Sequence, residues 1–212
     1  MWAEVVVSDP ARPDPPVVSR AARALAAGKL VILPTETVYG LACRADDDVA
    51  VRRLHEVKQR APQQALALVL PDIAALAQVA QVSAPAQRLA AAFMPGPLTL
   101  VMRKTAAVSA QVTGGRDTVG VRVPDLPLTQ AILAACAFPV VATSANLAGE
   151  PPATQVAELA AELCEAVALI VDAGPCPGGE ASTVVDVTVT PPVVLRAGPV
   201  AAEDIRAALG HS

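Results

Sequence analysis

Leu33-Pro34-Thr35-Glu36-Thr37-Val38-Tyr39-Gly40-Leu41 decides how the rest of this 212-residue chain is read. The apolar run Leu30 to Leu33 stops at a proline, which cannot donate to a sheet ladder, so a buried strand ends there and hands a polar segment to the sheet edge. Thr35, Glu36 and Thr37 then cluster in a chain that is 53% hydrophobic. Tyr39 is the single tyrosine, and Gly40 beside it permits backbone conformations that other residues resist. Polar groups at the end of a buried strand are the usual material of an α/β ligand site. The plainer alternative is a strand-to-loop junction in which threonine only caps.

Outward from this box, short elements alternate. Val5 to Val7 reads as a strand, and Pro15-Pro16 opens a helix through Ala27 that Gly28 stops. Asp46 is placed to cap a helix running to about Gln59, with Val49, Leu54 and Val57 toward the core and Arg52 and Arg53 outward. Ala65 to Leu70 reads as a strand, followed by alanine-rich helical segments to Phe93. Leu98 to Met102, Val119 to Val123, Val140-Val141 and Leu169 to Val171 are further short strands. Thr154 is placed to cap a helix with Val156, Leu159, Leu163 and Val167 on one face. Val184 to Val187 and Val193 to Leu195 finish the sheet, and a last helix carries Ile205 and Leu209. The interleaving lacks a long parallel β-α-β cadence. An α/β fold with a mixed twisted sheet flanked by helices is therefore expected, as one domain over residues 1–212.

Composition narrows the function classes. Net charge is −4 and the pI about 5.2, which argues against a surface dominated by nucleic-acid electrostatics and leaves room only for a local basic groove. Aromatics are 2%, so the core must be alanine, valine and leucine. Cys43, Cys136, Cys164 and Cys176 form no C-x-x-C pair, and His55 and His211 stand alone, so neither a zinc site nor a disulfide framework has support. The start Met1-Trp2-Ala3-Glu4 has no basic n-region, and the apolar stretch Leu66 to Val82 is interrupted by Pro71, Asp72 and Gln78. The expectation is a soluble cytoplasmic protein.

The polar clusters lie between elements. They are Lys58-Gln59-Arg60, Pro95-Gly96-Pro97-Leu98-Thr99, Thr118 through Asp125, Ala142 through Pro151 around Ser144 and Asn146, Ser182 through Asp186, and Leu195-Arg196-Ala197-Gly198. Lys58 and Arg60 also suit a solvated helix end, where the macrodipole favours cations. Ser144 and Asn146 also suit a plain turn. Arg122 lies inside an apolar β-pattern, where a guanidinium is seldom buried without an anion, and Arg196 repeats the situation.

Taken in order, the PTETVYGL box, the K-x-R, the PGPLT turn, the VRVPD strand, the SAN-x-x-G-E-P loop, the STVVD strand and the LR-x-G end resemble the YrdC-type threonylcarbamoyl-AMP synthases over nearly the whole chain. The resemblance implies a YrdC-like open α/β fold in its short, single-domain form. It also implies formation of threonylcarbamoyl-adenylate and pyrophosphate from L-threonine, bicarbonate or CO2, and ATP with Mg2+. The product would feed tRNA threonylcarbamoyl-transfer proteins, with weak tRNA binding and no membrane. On the matching positions, Lys58 and Arg60 would be catalytic and face the ATP phosphates and the carbamate. Thr35, Arg122 and Ser182 would contact threonine, with Tyr39 shaping that pocket. Gln64, Thr118, Ser144, Asn146 and Arg196 would bind the nucleotide, and no protein ligand for the metal is implied.

The match has departures. Ala61 and Ala65 stand where the family has prolines, Gln64 where it has lysine or asparagine, Val69 where some members carry histidine, and Pro152 where some carry serine. These bear on ATP affinity and on the threonine contacts. Two other readings compete: a carbamoyl-transfer module of hydrogenase-maturation type, and a non-catalytic double-stranded RNA-binding module. If Lys58 and Arg60 are exposed site cations, substituting them should cost turnover more than stability.

Overall fold

The computed structural model describes residues 2–210, so Met1, His211 and Ser212, and with them the second histidine, lie outside the described residues. In chain order the elements are β1 (Glu4–Val7), α1 (Pro15–Ala26), β2 (Val31–Leu33), β3 (Gly40–Arg44), α2 (Asp48–Val57), β4 (Ala67–Val69), α3 (Leu76–Val79) and β5 (Ala80–Gln81). Then follow α4 (Ala84–Phe93), β6 (Leu98–Lys104), α5 (Ala110–Thr113), β7 (Thr118–Arg122), α6 (Pro127–Ala134), β8 (Val140–Ser144) and α7 (Ala161–Ala166). The chain closes with β9 (Leu169–Asp172), β10 (Thr183–Asp186), β11 (Val193–Arg196) and α8 (Ala202–Leu209).

All eleven strands join one sheet in the order β1-β9-β2-β3-β8-β4-β7-β6-β10-β11, with β5 against β6. The pairs β1–β9, β2–β9, β4–β7 and β6–β10 are parallel, and β2–β3, β3–β8, β4–β8, β6–β7 and β10–β11 antiparallel. The expected mixed sheet is the one observed.

Because strand side chains alternate, each strand divides its residues between two faces. On one face Leu41, Leu68, Leu100, Val121, Val141 and Val185 pack with Val51 and Leu54 of α2, Leu89 of α4, Leu163 of α7 and Ile205 of α8. On the other, Val31, Leu33, Ala42, Val140, Leu169 and Val171 pack under Val17, Ala21 and Leu25 of α1 and Leu128 and Ile132 of α6. That second helical layer covers only the β1 side. Over β8, β4, β7, β6, β10 and β11 the same face borders a cavity whose wall contains strand and loop residues but none from an α-helix. The site is the uncovered half of the sheet.

Local chemistry departs from the sequence reading at several places. Ala80–Gln81 is a strand paired with β6 inside the stretch read as helical, and α5 and α6 form where that reading places no helix. Three further departures have a cause visible in their contacts. Asp47, not Asp46, caps α2 by accepting from the Val49 and Ala50 amides, while Asp46 pairs with Arg44 at 2.9 Å. Moving the cap by one residue turns the helix, so Ala50, Val51, Leu54 and His55 are buried and Val49 is 65% exposed. Val156–Glu158 is a single 3₁₀ turn rather than the start of a helix from Thr154. Glu158 accepts from both the amide and hydroxyl of Thr154, a local side-chain bond that competes with helix propagation. Leu159, Leu163 and Val167 are buried even so. Finally, Gly40–Arg44, which local sequence left without an element, is the central strand β3, because pairing on both sides with β2 and β8 outweighs the low strand preference of glycine and alanine.

Leu100 is fully buried at the middle of β6. Leu100→Ala is expected to cost about 3 kcal/mol and lower the thermal midpoint by roughly 6–12 °C, whereas Val194→Ala on the exposed β11 should cost under about 0.5 kcal/mol; paired thermal melts check both.

Candidate functional site

Register fixes the floor of the cavity. One line across the sheet runs Ala142–Ala67–Gly120–Val101–Asp186, and each of these residues lines the cavity. Alanine, alanine and glycine keep this line low. A Cβ on Gly120 would stand 3.4 Å from the Thr99 methyl and 3.5 Å from the Ala67 Cβ, so the glycine creates depth rather than relieving a clash. On one side of the line stand Val69 with its register partner Arg122, and Val184 between its partners Thr99 and Arg196. On the other stand Ser144 and Thr118. The cavity holds about 550 Å³.

The box after β2 closes one wall. The Thr35 hydroxyl accepts from the Thr37 and Val38 amides, both at 3.1 Å, and donates to the Val38 carbonyl at 2.6 Å, so Thr35 organises its own turn. Tyr39 is fully buried. Its hydroxyl donates to the Gly174 carbonyl at 2.8 Å and accepts from the Ala173 amide, and burial raises its pKa. A strap at Gly178–Gly179 is stitched to the box by two amides, donating to the carbonyls of Glu36 and Thr37 at 2.9 Å each. A Cβ on Gly178 would fall 2.7 Å from the Glu36 carbonyl oxygen, which makes glycine obligatory at this crossing.

Four guanidiniums line the cavity: Arg60, Arg116, Arg122 and Arg196. Arg122 is 9% exposed, and its Nη2 donates to Glu36 Oε1 at 2.6 Å and Thr37 Oγ1 at 2.8 Å, while Nε donates to the Gly96 carbonyl at 3.2 Å. Its Nη1 has no partner among the described residues. Arg60 donates to Thr143 Oγ1 at 3.2 Å and to the Ala65 carbonyl at 2.9 Å, and its buried Nε is unpartnered. Arg196 grips the Ser182 carbonyl through Nη2 at 2.7 Å and Nε at 3.1 Å. The Ser182 and Thr99 hydroxyls lie 2.8 Å apart. Desolvation, and then the charge of Arg196, lowers the Arg60 pKa; desolvation, and then Arg122, lowers that of Arg196. Cations that depress one another around one cavity form a site for anions.

Lys58 behaves differently. It caps the end of α2 on the buried face set by Ala50, Val51, Leu54 and His55, and is 5% exposed. Its ammonium donates to Asn146 Oδ1 at 2.8 Å and the Asn146 carbonyl at 2.9 Å, and also meets the carbonyl and hydroxyl of Ser144. Burial, and then the charge of Arg60, pushes its pKa down to about 8. The solvated-helix-end reading of Lys58 and Arg60 is thereby corrected. So is the premise that Lys58 is an exposed cation without weight in stability, because four protein oxygens depend on it.

Of the residues expected from sequence, the cavity wall gathers Thr35, Tyr39, Arg60, Thr118, Arg122, Ser144, Ser182 and Arg196. Lys58 and Asn146 stand behind the wall, joined to each other, and Gln64 is exposed outside it. Thr99, Thr143, Arg116 and Asp186 line the wall as well, and Glu36 and Thr37 brace Arg122 from behind. All of these but Arg116 sit inside quoted motifs, where period-two alternation could have flagged Thr99 and Asp186 as sharing a face with Arg122; nothing local marks Arg116. His55 is buried with both ring nitrogens unpartnered and lies off the wall. The four cysteines are free thiols. Among the described residues no three His, Cys, Asp or Glu groups converge as a metal cluster, and Asp186 is the one carboxylate on the wall.

Comparison with known proteins places this geometry. The family model Sua5/YciO/YrdC, described as "Telomere recombination", matches residues 23–198. A "Threonylcarbamoyl-AMP synthase" of Pyrococcus abyssi is 39% identical over 87% of this chain and 54% of its own length. One of Bacillus subtilis is 38% identical over 97% of this chain and 60% of its own length. The chain thus spans little more than half the length of these two relatives. The crystal structure of P. abyssi Sua5 complexed with L-threonine superposes with a TM-score of 0.90 at 35% identity, covering 100% of this chain and 62% of that one.

Lys58→Met is expected to leave the Ser144 and Asn146 oxygens without their donor, costing about 1–3 kcal/mol and speeding amide exchange in the loop after β8 by roughly tenfold. The wild-type Lys58 binds its proton less tightly when folded than when unfolded. The unfolded chain therefore carries more protons between pH 8 and the usual lysine value of 10.5, and stability gains a positive slope with pH across that window. Denaturation series at several pH values should show that component lost in Lys58→Met.

Proposed function

The chain belongs to the Sua5/YciO/YrdC family, and from that premise we propose that it is an L-threonylcarbamoyladenylate synthase acting in the cytoplasm on L-threonine, bicarbonate or CO2, and ATP. The observation that carries this reading is the convergence of Arg60, Arg122 and Arg196 on one cavity in a protein of net charge −4. The chemistry needs such a place, because a carbamate and a triphosphate must meet, anion against anion. The curated names of the relatives favour this over the carbamoyl-transfer and RNA-binding readings.

The threonine carboxylate binds the free Nη1 of Arg122, with the Thr35–Tyr39 turn and Ser182 shaping the surroundings. The amine, once neutral, adds to CO2; a C–N bond forms and the amine proton leaves to water. A carbamate oxygen then attacks the α-phosphorus, its bond to the bridging oxygen breaks, and pyrophosphate departs. Arg60 and Arg196 hold the phosphates and take up charge as it develops, with Thr118 and Ser144 on the nucleotide. Lys58 acts through Asn146 and Ser144 by holding their loop. With no histidine on the wall among the described residues, positioning and electrostatics carry the step rather than a dedicated base.

Mg2+ fits this donor set in one way. A single wall carboxylate, Asp186, suits an ion that keeps most of its ligands as phosphate oxygens and water. Bound there, the ion would neutralise phosphate charge. The mixed anhydride formed is a reactive acyl donor, so its consumer would be a protein that transfers the threonylcarbamoyl group to tRNA, with weak direct tRNA affinity compatible with an acidic chain.

Pyrophosphate release from ATP with Mg2+ and bicarbonate should require L-threonine and fall with L-serine or no amino acid; release that ignores the amino acid, or none from folded protein, overturns the reading. Arg122→Lys, which keeps a charge against Glu36 but loses the fork, should raise the threonine KM at least about tenfold and leave the ATP KM within about twofold.

A further inference from the structure

We propose that Glu36 is a specificity-determining residue that divides the cavity into two anion sites, a weak one at Arg122 for a carboxylate and a strong one at Arg60 and Arg196 for phosphates. The inference rests on the proposed function for the identity of the two anions, but its geometry does not. Of the four guanidiniums on the wall, Arg122 alone has a carboxylate in ion-pair contact, Glu36 at 2.6 Å; among the described residues none of Arg60, Arg116 and Arg196 forms an ion pair. The Glu36–Arg122 pair is largely shielded from solvent, with side chains 14% and 11% exposed, so its attraction is screened little.

Glu36 is not part of the cavity wall, and therefore acts through Arg122. Its Oε1 takes one edge of the fork together with the Thr37 hydroxyl, and the Gly96 carbonyl takes Nε. Only Nη1 remains to meet a ligand. Its Oε2 is buried without any donor, so the charge of Glu36 is answered by Arg122 and little else. The pair is close to neutral as seen from the cavity. A carboxylate, which needs one good donor and modest charge, can bind such a pair. A phosphate gains far more from the uncompensated Arg60 and Arg196, and is repelled by the carboxylate behind Arg122. The box itself is held in place by the Gly178 amide on the Glu36 carbonyl, which fixes the carboxylate's position relative to β7.

Removing the charge of Glu36 should tighten pyrophosphate well beyond L-threonine, a signature that loss of fold does not produce. Calorimetric titration of the full chain with L-threonine, and separately with inorganic pyrophosphate, compares wild type with Glu36→Gln and Glu36→Asp. Glu36→Gln is expected to tighten pyrophosphate about tenfold and L-threonine, a zwitterion, no more than about threefold, with Glu36→Asp close to wild type. Unchanged affinities, or both weakened together, overturn the proposal. A wild type that takes pyrophosphate but no L-threonine sinks the proposed function. Glu36 is then still judged, by the pyrophosphate titration and by the exchange of the Arg122 Nε–H resonance, identified by its loss in Arg122→Lys. That resonance should exchange about tenfold faster in Glu36→Gln; equal exchange together with equal pyrophosphate affinity overturns the inference.

Discussion

A guanidinium inside a sheet has to be answered on several sides, since an unpaired buried charge costs several kcal/mol. Arg122 is answered by a carboxylate, a hydroxyl and a carbonyl that come from two separate segments, the box after β2 and the turn at Gly96 before β6. Neither segment is near β7 in sequence. The box is in turn tied to the Gly178–Gly179 strap and, through Tyr39, to the end of β9 at Gly174. Demand from one buried cation thus draws together the segments that wall the cavity.

The sheet gives that demand its location. α1 and α6 cover the β1 side of one face, and the remaining strands of that face carry Gly120, Ala67, Ala142, Thr99 and Asp186 where a covered sheet would carry valine and leucine. Without a helical layer, polar side chains on this face keep contact with water and with one another at low cost. The opposite face, with Leu68, Leu100, Val121 and Val185 on the same strands, is an ordinary core. One strand therefore supplies both structure and site, by alternation.

The K-x-R segment shows how similar charges acquire different work. Lys58 and Arg60 are two residues apart, and Gln59 between them takes a left-handed φ of 53° as the helix ends. That break leaves Lys58 on the buried face of α2, where the three N–H groups of a compact ammonium are shared among four clustered oxygens, and sends Arg60 to the cavity wall. The loop after β8 is thereby fastened to the end of α2.

Strand and helix order was legible in the sequence because period-two and period-3.6 apolar patterns are local properties, and the buried strands and the final helix with Ile205 and Leu209 stand where those patterns place them. The motifs also marked most of the wall, since Arg122 in an apolar strand is an anomaly that sequence alone exposes; Arg196 does not repeat its burial, because β11 is exposed along its length. Local chemistry could not choose Asp47 over Asp46, turn Val49 outward, stop the helix at Glu158 or make Gly40–Arg44 a central strand. Nor could it pair Glu36 with Arg122, 86 residues away, or bind Lys58 to Asn146, 88 away. Those outcomes depend on which strands lie side by side and which half of the sheet goes uncovered. Long-range pairing sets both, and a single chain read in order contains no measure of it.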